Sequence, residues 1–218
     1  MTTRRQEQSS ARAVVLGNVR AALDGAERSG AQSVPRNYAR GRPSSDPSGL
    51  FAERVADYEA TVQVVTRSEI GTFVRSALEG SSAHRVLTPE GLPGSWFDDG
   101  AGITTVNDSE IDGVAELDDV DAVVTTATVG IATTGTIVLD HGPGQGRRAL
   151  TLVPDVHVCV VEEDHIVDDV PAALAKLDPR GPLTFISGPS ATSDIELDRV
   201  AGVHGPRTLH VLVVRQPQ

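Results

Sequence analysis

The sequence predicts an α/β fold, and three observations carry that expectation. Short β-branched runs recur along the chain, segments of helical period fall between them, and Gly- and Pro-rich turns punctuate both. A length of 218 residues is enough for a sizeable core, and with one Trp, two Tyr and four Phe that core must be built mainly from Val, Leu, Ile and Ala. The expected organisation is an N-terminal helix and flexible basic arm over residues 1–50, then a single α/β domain over 51–218.

Ala11 to Ala26 sets Ala13, Val14, Leu16, Val19, Ala22 and Leu23 at helical spacing, which predicts an amphipathic helix. Ser29 to Ser48 collects Ser, Pro, Gly and Arg with few apolar residues, the composition of a mobile arm. Phe51 to Tyr58 reads as a helix and Thr61 to Thr66 as a strand. Ser68 is placed to cap a helix with Ile70, Phe73, Val74, Ala77 and Leu78 on its apolar face, ended by Gly80. Arg85 to Thr88, Gly102 to Val106 and Asp121 to Ala127 are strand-like. Ile131 to Gly135 forms a tight Thr/Gly turn before a strand at Thr136 to Leu139. His141 to Arg148 is a polar loop that opens a short helix, and Thr151 to Val161 is strand-like around Pro154. Val167 to Leu177 is a helix that turns Val170, Ala173, Leu174 and Leu177 inward and tolerates Pro171 in its first turn. Leu183 to Ile186 and Leu209 to Val214 complete the strands.

Charge is distributed unevenly. Residues 1–50 carry eight Arg against four acids, a net of +4, while the remainder carries eleven basic and twenty-six acidic residues, a net of −15. So acidic a body repels nucleic acid and anionic membrane, because each phosphate contact needs a compensating cation. The basic arm either meets a negative partner or folds back on the acidic body. Basic residues are nearly all Arg, with Lys176 the only lysine, a bias that codon usage explains as readily as function. Cys159 is solitary and sits in the apolar run Val156 to Val161. It excludes an intrachain disulfide, supplies too few thiolates for an iron–sulfur cluster, and reads as a packed core residue. No window reaches the ~18 apolar residues of a membrane span, and Met1 to Ser10 is polar, unlike a signal peptide. A cytoplasmic setting is expected. His84, His141, His157, His165, His204 and His210 show no metal-ligand spacing, so no metal is expected.

Candidate site residues concentrate in three segments. The turn Gly130 to Thr136, with Thr133, Thr134 and Gly135, has the small residues that let a ligand approach backbone. Gly142-Pro143-Gly144-Gln145-Gly146 matches neither a P-loop nor a dinucleotide fingerprint. Followed by Arg147 and Arg148, it either offers N–H groups and guanidinium charge to an anion or is a plain connection. The block from Gly188 to Arg207 crowds Ser190, Thr192, Asp194, Glu196, His204 and Arg207 between two strand-like runs, where strand ends of open α/β sheets place ligands. Asp194 and Glu196 suit acid–base work, or helix capping and ion pairing with Arg199 or Arg207. His204 suits a general base, a ligand donor, or a structural turn histidine. Ser190 lies in no G-x-S-x-G elbow, which disfavours a hydrolase nucleophile. The anion-site expectation joins all three segments in one pocket, with Glu196 and His204 as its acid–base candidates.

Three stretches, Val129 to Leu139, Arg148 to His157, and Ser187 to Arg207 with its Gly202-Val203-His204-Gly205-Pro206-Arg207 step, together resemble the LUD domain family across roughly Phe51 to Val214. The resemblance is closest to the lactate-utilisation members of that family. It implies a fold related to ribose-5-phosphate isomerase, glucosamine-6-phosphate deaminase and the CoA-transferases. It also implies a part in oxidising L-lactate to pyruvate beside two iron–sulfur partner proteins, with this chain as the non-cluster subunit and no cofactor of its own. The family often has Glu in the turn where this chain has Thr133, and a hydroxyl cannot replace a carboxylate as acid or base at neutral pH. The alternative is a stand-alone enzyme on that fold, handling a small carboxylate, phosphate or CoA-type substrate with Arg147, Arg148, Arg207, His204 and Glu196.

Overall fold

The computed structural model describes residues 2–25, 43–98, 102–192, 200–201 and 204–216. The chain divides into two units, Met1–Ala39 and Arg40–Gln218. The first contains helix α1 (Thr2–Leu23), which begins nine residues before the apolar periodicity does. Its residues from Ala11 to Gly25 are exposed, Val14, Val15 and Leu23 among them. The expected mobile arm falls outside the described residues as far as Arg42.

The second unit opens with α2 (Pro47–Asp57), four residues earlier than the apolar pattern alone suggests. Pro47 supplies a preset φ at the first helical position, and the Asp46 carboxylate accepts from Gly49 N at 2.9 Å as the cap. Strand β1 (Thr61–Thr66) leads into a 3-10 turn and α3 (Ile70–Gly80). Ser68, expected to cap this helix, lies inside the 3-10 turn: Thr66 caps that turn, its backbone N and hydroxyl donating to the Glu69 carboxylate at 2.8 and 2.7 Å, and α3 starts from Glu69 itself. Then come β2 (Arg85–Thr88), β3 (Thr104–Asn107), the single-turn α4 (Val114–Leu117), β4 (Ala122–Thr126), β5 (Val129–Ile131) and β6 (Thr136–Leu139). After a 3-10 turn at Arg148–Thr151 follow β7 (Val156–Glu162), β8 (Ile166–Val167), α5 (Val170–Leu174), β9 (Thr184–Ile186), β10 (Ala191–Thr192), β11 (Val200–Ala201) and β12 (Thr208–Arg215).

Three elements differ from their sequence patterns. Gly130 sits inside a strand rather than in the turn with Thr133 to Thr136, because its missing side chain lets Ile166, Phe51 and Val161 close over β5. Thr151 lies in the 3-10 turn, so β7 starts only after Pro154. Helix α5 is short and turns Ala173 inward, with Leu177 buried beyond its end, while Val170 and Leu174 stay exposed.

Among the described residues, six strands form a parallel sheet in the order β1-β12-β7-β4-β2-β3. The central strands are apolar on both faces, as burial on two sides requires. One face (Val158, Val160, Leu212, Val214) packs on Ile70, Val74 and Leu78 of α3. The other (Cys159, Val161, Val211, Val213) packs on Phe51 and Val55 of α2 and on Ile137 and Leu139 of a second sheet. That sheet has the order β8-β5-β6-β9, with β6 antiparallel to both neighbours, and β10 pairs with β11 as a separate ribbon.

Candidate functional site

A polar loop between β6 and β7 separates two clefts. Gln145, almost fully buried, organises it: its Oε1 accepts from Asp140 N at 2.8 Å and His141 N at 3.1 Å, and its Nε2 donates to Thr128 Oγ1 at 2.7 Å. Gly144 N donates to Glu90 O at 2.7 Å and Gly144 O accepts from Thr126 N at 2.9 Å, which pins the loop across the carboxyl ends of β2 and β4. His141 lies 3.0 Å from Gly146 O through Nδ1 and 2.9 Å from Thr184 Oγ1 through Nε2. A carbonyl only accepts, so Nδ1 carries a proton.

The first cleft, of about 230 Å³, lies at the amino ends of β7 and β12 and against β9. Its walls include Arg148 and Thr151 from the 3-10 turn, His157 from β7, Thr184, Ser187, Gly188 and Ser190 from β9 and beyond, and His204 and Gly205 before β12. The volume is below the usual range for drug-sized ligands and suits a small molecule. Its described lining holds one guanidinium and two imidazoles but no Asp or Glu, although the chain as a whole carries −11. Arg148 makes no ion pair or hydrogen bond through its guanidinium among the described residues. Ser190 braces one wall, donating its backbone N to Pro206 O at 2.8 Å and accepting from His204 N at 3.1 Å through Oγ. Among the described residues the cleft therefore offers an unpaired cation and hydroxyl groups in a chain of net charge −11, an arrangement that favours a small anion.

His157 forms the floor. It is 1% exposed, and burial pushes its pKa down to about 4, so the ring is neutral at physiological pH. Nε2 lies 2.8 Å from Thr125 Oγ1, which in turn donates to Cys159 Sγ at 3.6 Å. Burial pushes the Cys159 thiol up to about 12, with the Thr125 contact opposing it weakly. The sequence reading passed over His157. Its signal was there: one polar residue interrupting the otherwise apolar run of β7.

The structure brings together at this cleft Arg148, Gly188, Ser190 and His204 of the expected site residues. Thr136 attaches to it through Ser187, Oγ1 to Oγ 2.8 Å, and Thr134 bonds Thr136 at 2.7 Å. Thr133 is exposed and anchored by its backbone N to Asp168 O at 3.0 Å. Gly135 serves packing: at φ 58 it lets the turn touch α2, where an added Cβ would lie 2.6 Å from the Arg54 carbonyl carbon. Arg207 pairs with Asp155 at 3.3 Å on the surface, away from the cleft lining. Thr192 lies on β10, and Asp194 and Glu196 fall outside the described residues.

Arg147 does not join Arg148. Its Nε donates to Asp108 Oδ1 at 2.7 Å and a terminal nitrogen to Ile111 O at 2.8 Å, on a second cleft of about 770 Å³ beyond the carboxyl ends of β2 and β3. Glu90, Asn107, Asp108 and His141 share that cleft, so its cation is already matched by carboxylate. The two clefts thus lie at opposite ends of the parallel strands. The loops preceding β7 and β12 lead to the amino edge, whereas the usual ligand crevice of open sheets is at the carboxyl edge. Among the described residues no group of three or more His, Cys, Asp and Glu is placed to hold a metal, and no helix is long and apolar enough to cross a membrane.

The pattern of the LUD domain family matches residues 51–214 of this chain. A relative from Deinococcus radiodurans named lactate utilization protein C is 48% identical over 168 residues, covering 75% of this chain and 77% of the relative. An uncharacterised protein from Neisseria meningitidis serogroup B is 34% identical over 189 residues, covering 76% of this chain and 79% of its own. The crystal structure of a DUF162 family protein from Deinococcus radiodurans is similar with a TM-score of 0.66 and 40% identity, covering 78% of this chain and 96% of that one.

Proposed function

The chain belongs to the LUD domain family, and from that premise we propose that it is the non-cluster component of an L-lactate utilisation system, with its 230 Å³ cleft binding the small carboxylate. Relatives named lactate utilization protein C support the role in lactate use. The observation that carries the anion reading is the Arg148 guanidinium, without a partner among the described residues, in a cleft whose described lining has no carboxylate. Oxidation of L-lactate to pyruvate releases two electrons and two protons. As the family resemblance implies, the electrons go to iron–sulfur clusters in two partner proteins, and this chain holds or presents substrate in the cytoplasm without a cofactor of its own, a division with which its single cysteine, Cys159, agrees.

Kinship with the ribose-5-phosphate isomerase, glucosamine-6-phosphate deaminase and CoA-transferase folds belongs to the same proposal, supported by a parallel sheet with helices on both faces. One observation favours a second reading, a stand-alone enzyme on that fold. The Arg147 cleft lies at the carboxyl edge of the parallel sheet, beyond β2 and β3, the edge at which open sheets place ligands.

Affinity capture of the tagged chain from its native host, followed by assay of the captured material with L-lactate and an electron acceptor, separates the readings. Two cluster-bearing proteins that co-purify and reduce the acceptor only with this chain present are expected. Turnover of a small carboxylate, phosphate or CoA-type substrate by the isolated chain selects the second reading.

A further inference from the structure

We propose that His157 is a specificity-determining contact that makes the Arg148 cleft prefer a 2-hydroxy acid over the corresponding 2-oxo acid, its Nδ1 accepting a hydrogen bond from the ligand hydroxyl. This rests on the reading of that cleft as the site of a small carboxylate.

The direction follows from the hydrogen bonds behind the ring. Thr125 is fully buried and has one hydroxyl proton, which it donates to Cys159 Sγ at 3.6 Å. In the proposed tautomer that proton stays on the sulfur side, the lone pairs face His157 Nε2 at 2.8 Å, and Nε2 is the protonated nitrogen of the neutral ring. Nδ1 is left as a bare acceptor. It has no hydrogen-bond partner among the described residues, where no side-chain nitrogen or oxygen is both sealed from solvent and unpartnered. The small remaining exposure of His157 therefore belongs with Nδ1, at the cleft that the ring lines.

A three-carbon 2-hydroxy acid carries a carboxylate and, one carbon away, an O–H donor. In a cleft of 230 Å³ lined by both residues, the carboxylate takes the Arg148 guanidinium and the hydroxyl takes Nδ1. The 2-oxo acid matches the first contact and fails the second, because its carbonyl is an acceptor facing another acceptor. A buried acceptor left unpaired is the kind of mismatch by which sites discriminate isosteric ligands. A neutral hydrogen bond and the penalty for leaving it unmade correspond to a preference on the order of tenfold. The cleft would then hold the substrate of the oxidation and release its product.

The test is calorimetric titration of the purified full chain with L-lactate and with pyruvate, for wild type, His157→Phe and Thr125→Val. Wild type should bind L-lactate on the order of tenfold more tightly than pyruvate. His157→Phe should lose that margin, and Thr125→Val, which removes the acceptor that fixes the tautomer, should narrow it. A readout on the unmutated protein guards against misfolded variants: the histidine ¹⁵N spectrum should show His157 protonated at Nε2, with Nδ1 shifting when L-lactate is added but not when pyruvate is. Equal binding of the two acids, tighter binding of pyruvate, or a proton on Nδ1 overturns the proposal and leaves the carboxylate site standing. Binding of neither acid overturns the carboxylate site, and this inference with it.

Discussion

Arg147 and Arg148 are consecutive in the chain and serve different clefts: Arg147 is held by Asp108 at 2.7 Å and by the Ile111 carbonyl at 2.8 Å, while Arg148 lines the cleft of His157 and His204 with its guanidinium unpaired among the described residues. The division follows from the local backbone. Arg147 is extended, with φ −69 and ψ 151, and Arg148 begins a 3-10 turn, so the two side chains leave in different directions.

The two substitutions should therefore separate binding from stability. Arg147→Ala removes a half-exposed ion pair and a bond to backbone, and should cost about 1–2 kcal/mol in urea unfolding without weakening lactate binding. Arg148→Ala should leave stability within about 0.5 kcal/mol. Its effect is on the ligand, where loss of a charge-assisted hydrogen bond lowers affinity at least about tenfold. Equal affinity losses from both variants would contradict the two-cleft geometry.

Gly135 is the tightest point between the turn after β5 and helix α2. Its φ is +58, and an added Cβ would lie 2.6 Å from Arg54 C and 2.7 Å from Val55 N, both backbone atoms that cannot swing aside. Gly135→Ala incurs the left-handed penalty of about 1–2 kcal/mol and an overpacking term of about 1–3 kcal/mol. Urea denaturation should show a loss of at least about 2 kcal/mol. An unchanged midpoint would mean that the turn and helix are not in contact.

The thiol of Cys159 should be inert in the folded chain. It is fully buried, and desolvation pushes its pKa up to about 12, leaving almost no thiolate at neutral pH. A thiol reagent should label no cysteine in native buffer and one per chain in guanidinium. Rapid native labelling, or a stoichiometric iron content in a monomeric preparation, would count against both the burial and the non-cluster role.

Much of the fold was legible because the strands of a two-sided parallel sheet are short apolar runs. Thr61 to Thr66 and Arg85 to Thr88 coincide with β1 and β2, and Leu209 to Val214 lies within β12. What escaped was set by tertiary contact. Gly130 is a strand residue only because Phe51, Ile166 and Val161 close over it, which no local pattern encodes. Ser68 lost the expected capping position because a 3-10 turn capped at Thr66 by Glu69 precedes α3, a pairing the spacing allows but does not compel. The site was harder to read. Adjacency in sequence put Arg147 beside Arg148, whereas the anchor for Arg147 lies thirty-nine positions away at Asp108. His157 resembled a core residue because it is one by burial. Its place on a cleft wall depends on β9 and the segment before β12, both distant in the chain.

That buried imidazole also makes stability depend on pH in a definite direction. His157 titrates near 6.5 when unfolded and at about 4 when folded, because burial disfavours the charged ring. Above pH 6.5 the ring is neutral in both states and contributes no slope. Between about 6.5 and 4 the unfolded chain takes up a proton that the folded chain refuses, so stability falls as pH falls, by on the order of 3 kcal/mol across the window. Urea midpoints measured at intervals from pH 7.5 to 4.5 should decline in wild type. Gln at this position does not titrate, so His157→Gln should show a shallower decline by up to one proton per molecule. Burial likewise lowers the pKa of His210, whose Nε2 lies 3.3 Å from Ser81 Oγ, and this leaves a residual slope in the variant. Parallel pH profiles for wild type and His157→Gln would show that the ring is already protonated or solvated in the native state, and would remove the neutral acceptor from the floor of the cleft.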